Sequence, residues 1–225
     1  MKKENETNLR REIIRITHIM ANQGLIRSSD GNVSARLDER RFLITPSGLY
    51  KRALEPSDLI IVDRDGQTLK GRPGLRPTSE TKMHLEAYRQ RPDIGAVLHA
   101  HPPYATALTI AQIPFPVDLI PEVLLVLGDA PTAAYATPGT EELALSIRDL
   151  IREHDAVLLS HHGSLTVGET LEEALVALER VEHTAHTFFL SQALGTVTSL
   201  PPEETARLRE IGQKLRGTSH FKQEV

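Results

Sequence analysis

Residues 94–103 read IGAVLHAHPP, a short apolar run that ends in two histidines and two prolines. This composition predicts a buried strand that stops at the mouth of a site. Side chains two apart on a strand share a face, so His99 and His101 can grip one metal ion while Ala100 points away. A second run, VLLSHHGS at 157–164, ends the same way and offers a third imidazole. Three protein ligands from two strands would leave one coordination position open to substrate, as catalytic metals require. The pattern predicts an enzyme.

Working outward, the flanking segments alternate between helical and extended periodicity. Leu9, Ile13, Ile16 and Met20 recur at helical spacing over 8–23, with Gly24 as a stop. GLIRSSDGNVSAR is rich in turn formers, RFLITPSG and LIIVD read as strands, and DRDG as a tight turn. RPTSETKMHLEAYRQRP is a helix with Thr78 or Ser79 as N-cap, and Tyr104–Ala111 is a helix leaving the site. The section 113–138 mixes short strands with proline. TEELALSIRDLIREH is an amphipathic helix capped by Thr140, DAVLLSHHGSLTVG is a strand running into a Gly turn, and a long helix spans Leu171 to about Leu194. Another helix lies in a polar tail from about 201 to 225. The reading is one α/β domain over residues 1–225.

Composition narrows the chemistry. With 225 residues, 40% hydrophobic and 25% charged, the chain is an ordinary globular one. A net charge of −4 without a basic block argues against nucleic acid or an anionic membrane as partner. The absence of cysteine removes thiol nucleophiles, disulfides and thiolate metal sites, leaving nitrogen and oxygen ligands. The first residues carry charge without a following apolar stretch, unlike a secretory signal, and the longest apolar run, near 123–128, is too short for a bilayer. The expected location is cytoplasmic.

Glu80 is the natural acidic partner for the histidines. At the start of a helix, where the dipole favours an anion, it can ligate a metal, act as general base, or merely cap the helix. Nearby fragments suggest an anion site: Asn32 after Gly31, Ser47 before Gly48, and Thr78 with Ser79 at a helix start. Backbone N–H groups and small hydroxyls cradle phosphate without lysine. Two other HxH plans fail. A cupin-like site wants a glutamate soon after the second histidine, and a metallo-lactamase-like site wants an aspartate; Pro102, Pro103 and Tyr104 stand there instead. Glu179, Glu182, His183 and His186 lie at helical spacing and read as a polar face or a subunit interface. Tyr104 reads as a packed aromatic or a hydroxyl behind the metal site. His220 and Phe221 lie in the tail, which can reach a neighbouring subunit's site.

As a set, GNVSAR at 31–36, ITPSG at 44–48, PTSE at 77–80, VLHAH at 97–101, YATPGT at 135–140 and LLSHHG at 158–163 resemble the class II aldolase/adducin family in order and spacing. The resemblance covers about residues 8–195. It implies a three-layer α/β/α fold with a mainly antiparallel central sheet, and a homotetramer with sites at subunit interfaces. His99, His101 and His162 would hold Zn2+ or another divalent ion such as Mn2+ or Co2+, with His161 facing the other side of the strand. Glu80 would be the fourth ligand and the proton-moving base, and Asn32, Ser47, Gly48, Thr78 and Ser79 would bind the phosphate of a small sugar substrate. The implied reaction is reversible cleavage of a ketose 1-phosphate to dihydroxyacetone phosphate and an aldehyde, through a metal-stabilised enediolate. A sugar-acid phosphate decarboxylase, dehydratase or epimerase of the same fold, or a noncatalytic adducin-like module, are the alternatives. Family epimerases carry Asp at the position of Glu80, and a noncatalytic module predicts degraded ligands. Ile120 and Pro138 replace a tyrosine and a phenylalanine of the family's best-known aldolase, at the part of the pocket that would choose the aldehyde.

Overall fold

The computed structural model describes residues 6–216. Its sheet is built from β1 (Asn32–Arg36), β2 (Phe42–Ile44), β3 (Ile60–Val62), β4 (Thr68–Lys70), β5 (Ala96–Ala100), β6 (Thr132–Ala133), β7 (Ala156–Leu159) and β8 (Gly163–Gly168). In space they run β4-β3-β2-β1-β5-β8-β7-β6. Every neighbouring pair is antiparallel except β6 and β7. The histidine strand β5 therefore lies inside the sheet, flanked by the strands that carry Asn32 and the HHG turn.

Helices cover both faces, because β5 and its neighbours bury side chains on each. On one face α1 (Glu6–Asn22) and α6 (Leu171–Leu194) pack Ile13, Ile16, Met20 and Leu178 against Val33, Leu43, Ile61 and Leu98. On the other, α2 (Thr81–Gln90), α4 (Glu141–Ser146) and α5 (Leu150–Glu153) pack Met83, Tyr88, Leu143, Ile147 and Ile151 against Ile44, Ile60, Val97 and Leu165. α3 (Pro103–Ile110) sits beside α6 in a third cluster with Ala105, Leu108 and Val181. α7 (Pro202–Arg216) anchors the middle section, where Arg216 Nη1 donates to the carbonyls of Leu124 and Leu125 at 2.9 Å. This is the expected α/β/α architecture with a mainly antiparallel sheet. The tail residues His220 and Phe221 lie outside the described residues.

Several local expectations are corrected. The turn-rich segment after Gly24 contains a strand, β1, whose polar Asn32 and Ser34 are buried and hydrogen-bonded rather than exposed. The helix expected from Thr78 or Ser79 begins at Thr81, with Glu80 in the N-cap position and no side-chain cap bond. Thr78 is held back because its N–H donates to the Thr45 carbonyl at 3.2 Å. The helix after Thr140 does keep that cap, Leu143 N–H donating to Oγ1 at 3.3 Å, but it breaks into α4 and α5. At the break Arg148 N–H bonds the Leu145 carbonyl and Ser146 Oγ bonds the Leu143 carbonyl, which tightens the turn. The apolar run Val123–Leu127 is a π-helical turn rather than a strand, closed by Gly128 N–H on the Val123 carbonyl at 2.8 Å. HHG lies in a turn between two strands, so His161 does not face across a strand; it has φ +55° and is exposed.

Ile16 on α1 is fully buried against the sheet. Ile16→Ala is expected to cost about 2–5 kcal/mol of stability, as core truncations do, read as a lower urea midpoint. Metal content per folded chain should not change, since α1 packs on the face away from Glu80. A loss well under 1 kcal/mol would contradict this packing role.

Candidate metal centre

Sheet register assembles the site. Asn32 pairs with His99 across β1 and β5, and Ala100 pairs with Ser164 across β5 and β8. His99 falls on the α2 face, with Val97, while Leu98 and Ala100 enter the opposite core. His101, two residues on, shares that side, and the turn after β7 delivers His162. The three rings form a near-equilateral triangle with centroids 4.7–4.9 Å apart. One ligating nitrogen from each lies within 4.8 Å of the others.

Two glycines make this approach possible. A Cβ on Gly163 would sit 2.2 Å from the Ala100 carbonyl oxygen and 3.0 Å from His101 Cδ2. A Cβ on Gly31 would meet Ile26 Cγ2 at 2.3 Å and the His99 carbonyl oxygen at 3.0 Å, at φ +71°. Gly163 is thus required by its contact with the histidine strand, and Gly31 by its positive φ and its contact with Ile26 beside that strand.

Glu80 enters from the start of α2. Its Oε2 lies 3.1 Å from His99 Nε2 and its Oε1 3.4 Å from His162 Nε2. His99 Nδ1 donates to the Ser164 carbonyl at 2.9 Å, which turns the Nε2 lone pair toward the centre, 3.0 Å from His101 Nε2. Burial and the nearby His99 ring push His101 and His162 down to about 4, so both are neutral with lone pairs to offer. Burial alone would raise the Glu80 carboxyl, but His99, the Asn32 amide and His162, the rings carrying protons in the acid range where the carboxyl titrates, hold it well below the usual carboxylate range. Glu80 Oε1 and His162 Nδ1 are buried without a hydrogen-bond partner. A proton can satisfy one of these contacts but not all of them together. One divalent cation fits the donor set, with three imidazoles and a carboxylate as ligands.

The proposed anion-binding residues also converge. Ser47 N–H donates to the Arg76 carbonyl at 2.9 Å, and Pro46 pairs with Pro77, so the 45–48 loop lies against the segment that leads into Glu80. Ser47, Gly48 and Ser79 are exposed and Thr78 is buried. Gly48 has φ +76°, with open space where a Cβ would stand. Asn32 is set apart from this group. Its Nδ2 donates to Glu80 Oε2 at 2.8 Å and its Oδ1 meets His84 Nε2. His84, Ser34 and Tyr88 were not singled out from sequence. The spacing of Glu80, His84 and Tyr88, four residues apart on one helix face, is the signal that could have found them.

Other candidates resolve into structure. Glu182 accepts the backbone N–H groups of Tyr104 and Ala105 at 3.1 and 2.9 Å, capping α3, and Tyr104 stacks on His186 with centroids 3.9 Å apart. Tyr104 is therefore a packed aromatic, and Glu182 and His186 of the helical Glu/His face serve α3, while Glu179 accepts from Gln23 and His183 is exposed. Ile120 packs against the α3–α6 core. Among the described residues only His99, His101 and His162 group as a metal-binding set.

The Gly163 contact is testable. Gly163→Ala is expected to cost about 1–3 kcal/mol, the range for overpacking, and to weaken Co2+ binding, because the Ala100–His101 backbone must move. Unchanged Co2+ affinity in a folded variant would contradict the role of this contact.

Comparison with known proteins agrees with this geometry. The family profile described as "Class II Aldolase and Adducin N-terminal domain" matches residues 11–189. A 5-methylthioribulose-1-phosphate/5-deoxyribulose-1-phosphate aldolase of Rhodospirillum rubrum is 33% identical over 202 residues, covering 90% of each chain. A 3-oxo-tetronate 4-phosphate decarboxylase of Escherichia coli is 34% identical over 189 residues, covering 82% of this chain and 88% of that one. Among solved structures, an L-fuculose 1-phosphate aldolase superposes with a TM-score of 0.83 at 31% identity, covering 93% of this chain and 98% of that one. By profile, near full-length relatives and fold, the chain belongs to the class II aldolase/adducin family.

Proposed function

We propose that this chain is a divalent-metal-dependent lyase that reversibly cleaves a ketose 1-phosphate into dihydroxyacetone phosphate and an aldehyde. The observation that carries this reading is the carboxylate of Glu80. It stands at a helix start without capping it, buried among three imidazoles, with one oxygen unpartnered. An adducin-like noncatalytic role has no use for such a group. The N/O donor set suits Zn2+, with Mn2+ or Co2+ as further candidates. When bound, such an ion supplies Lewis acidity to the carbonyl and adjacent hydroxyl oxygens of the substrate.

The chain's own residues supply the rest. His99, His101 and His162 hold the ion. Glu80 moves the proton on and off the substrate carbon whose bond is made or broken, and this proton transfer is worth about 10²–10⁴-fold in rate. Ser47, Gly48, Thr78 and Ser79 bind the phosphate, and the fixed distance from that anchor to Glu80 orients the reacting carbon. Asn32 has two amide protons, so after donating one to Glu80 it offers the other to substrate. Pro138, in place of an aromatic residue, suits an aldehyde other than that of fuculose cleavage. The enzyme acts as a single-domain subunit of a cytoplasmic homotetramer. No helix among the described residues is long and apolar enough to cross a membrane.

Decarboxylation of a keto-acid phosphate is the second reading, favoured by the 34% identity to the 3-oxo-tetronate 4-phosphate decarboxylase. Proton exchange tests the enediolate chemistry, and product formation separates the two. In D2O, Zn2+-loaded protein should exchange the C3 protons of dihydroxyacetone phosphate, seen by proton NMR. His99→Ala should lose both retained metal and exchange, and Glu80→Gln should lower the exchange rate by about 10²–10⁴-fold. Proton exchange is common to both readings, because loss of carbon dioxide from 3-oxo-tetronate 4-phosphate leaves the same dihydroxyacetone phosphate enediolate. Release of carbon dioxide from that acid, with no ketose 1-phosphate formed from dihydroxyacetone phosphate and added aldehydes, would replace the aldolase by the decarboxylase.

A further inference from the structure

Behind Glu80, on the side away from the histidines, a line of polar side chains runs through the interface between α2 and the sheet. Asn32 Nδ2 donates to Glu80 Oε2, and Asn32 Oδ1 meets His84 Nε2. The opposite ring nitrogen, His84 Nδ1, lies 2.7 Å from Ser34 Oγ, which lies 3.0 Å from Tyr88 OH. All five side chains are buried, none more than 6% exposed. Asn32 and Ser34 alternate along β1, while Glu80, His84 and Tyr88 are spaced by four along the start and body of α2. Two elements thus face each other with polar groups where an apolar seam would be the simpler solution.

Donor and acceptor chemistry permits one direction for this chain. The Asn32 amide nitrogen can only donate to a carboxylate, so its Oδ1 must face His84. His84 Nε2 then carries the ring proton, and Nδ1 of the neutral ring accepts from the Ser34 hydroxyl. Ser34 Oγ in turn accepts from Tyr88, whose own oxygen faces the backbone N–H of Val97. Every donor points toward Glu80, so each bond polarises the next. The result separates the two carboxylate oxygens. Oε2 is anchored by the chain, while Oε1 accepts no hydrogen bond and faces His162.

We propose that His84 is a positioning residue for Glu80, acting through the Asn32 amide, with Ser34 and Tyr88 selecting the tautomer that makes this possible. The proposal rests on the reading of Glu80 as metal ligand and proton carrier. It gives His84 a task that α2 packing does not need. Without the Nε2–H donor, Asn32 is free to flip and present its oxygen to the carboxylate, which would push Glu80 off the centre.

The test uses Co2+ alone as the metal probe, read by visible absorption, beside the dihydroxyacetone phosphate exchange assay. His84→Leu is expected to weaken Co2+ binding about 10–100-fold, the usual effect of losing a partner of a ligating group, and to lower kcat more than KM. His84→Gln, whose amide can still donate to Asn32, should recover most of both. Ser34→Ala, a smaller change that keeps the fold if His84→Leu does not, should shift both readouts in the same direction. In a Glu80→Gln background, His84→Leu should have no further effect on Co2+ affinity. Unchanged affinity and kcat in folded His84→Leu or Ser34→Ala would overturn the proposal, as would an equal loss in the Glu80→Gln background. If wild type binds Co2+ but exchanges no protons, the aldolase reading fails, and the Co2+ comparison still decides the role of His84.

Discussion

Four electron-pair donors converge on one buried point: three imidazoles and the Glu80 carboxylate. Left without a positive partner, this cluster is costly, because lone pairs of neutral rings and a buried anion oppose each other where water screens them only from the side of His101. Much of the surrounding architecture follows from bringing them together. Strand β5 must lie inside the sheet so that β1 and β8 can supply neighbours on both sides. Gly163 must lack a side chain so that the HHG turn can close on Ala100 and His101, and Gly31, at φ +71°, passes closely between Ile26 and the His99 carbonyl. The Ser164 carbonyl fixes the His99 ring, so even the register of β5 against β8 serves the centre.

The same constraint explains the start of α2. A carboxylate in an N-cap position ordinarily accepts backbone N–H groups of the first turn. Here the Thr78 backbone is tied to the Thr45 carbonyl, and Glu80 turns its side chain inward instead. That geometry also brings the Ser47–Gly48 loop against the segment leading through Thr78 and Ser79 to Glu80, so one short bridge between loops would link the proposed anion site to the proposed base. Positioning a phosphate at a fixed distance from a reactive carboxylate converts binding of a remote group into orientation at the reacting one.

The grouping of His99, His101 and His162 is legible in the sequence because its signal is local. HxH at a strand end states its geometry through the two-residue repeat, and HHG marks where a second apolar run ends. The long helices were legible for the same reason, their apolar positions recurring over several turns, as in α1 and α6. What escaped was buried polarity. β1 reads as turns because it directly follows the turn formers Ser28, Ser29, Asp30 and Gly31, and the partners of its polar side chains, His84 and Tyr88, lie some 50 residues away. The Val123–Leu127 run was misread because a short apolar segment has no period to distinguish strand from helix. The HHG turn was placed within a strand because only the hairpin partner β8, seen in three dimensions, shows where β7 ends.

The central claim is that one divalent ion is held by His99, His101, His162 and Glu80 of the chain. X-ray absorption spectroscopy of Zn2+-loaded protein at the zinc edge tests it most directly. The predicted spectrum shows three imidazole nitrogens with their outer-shell scattering, at about 2.0–2.1 Å, completed by oxygen. A shell with fewer than three imidazoles, or one made of oxygen alone, would contradict it.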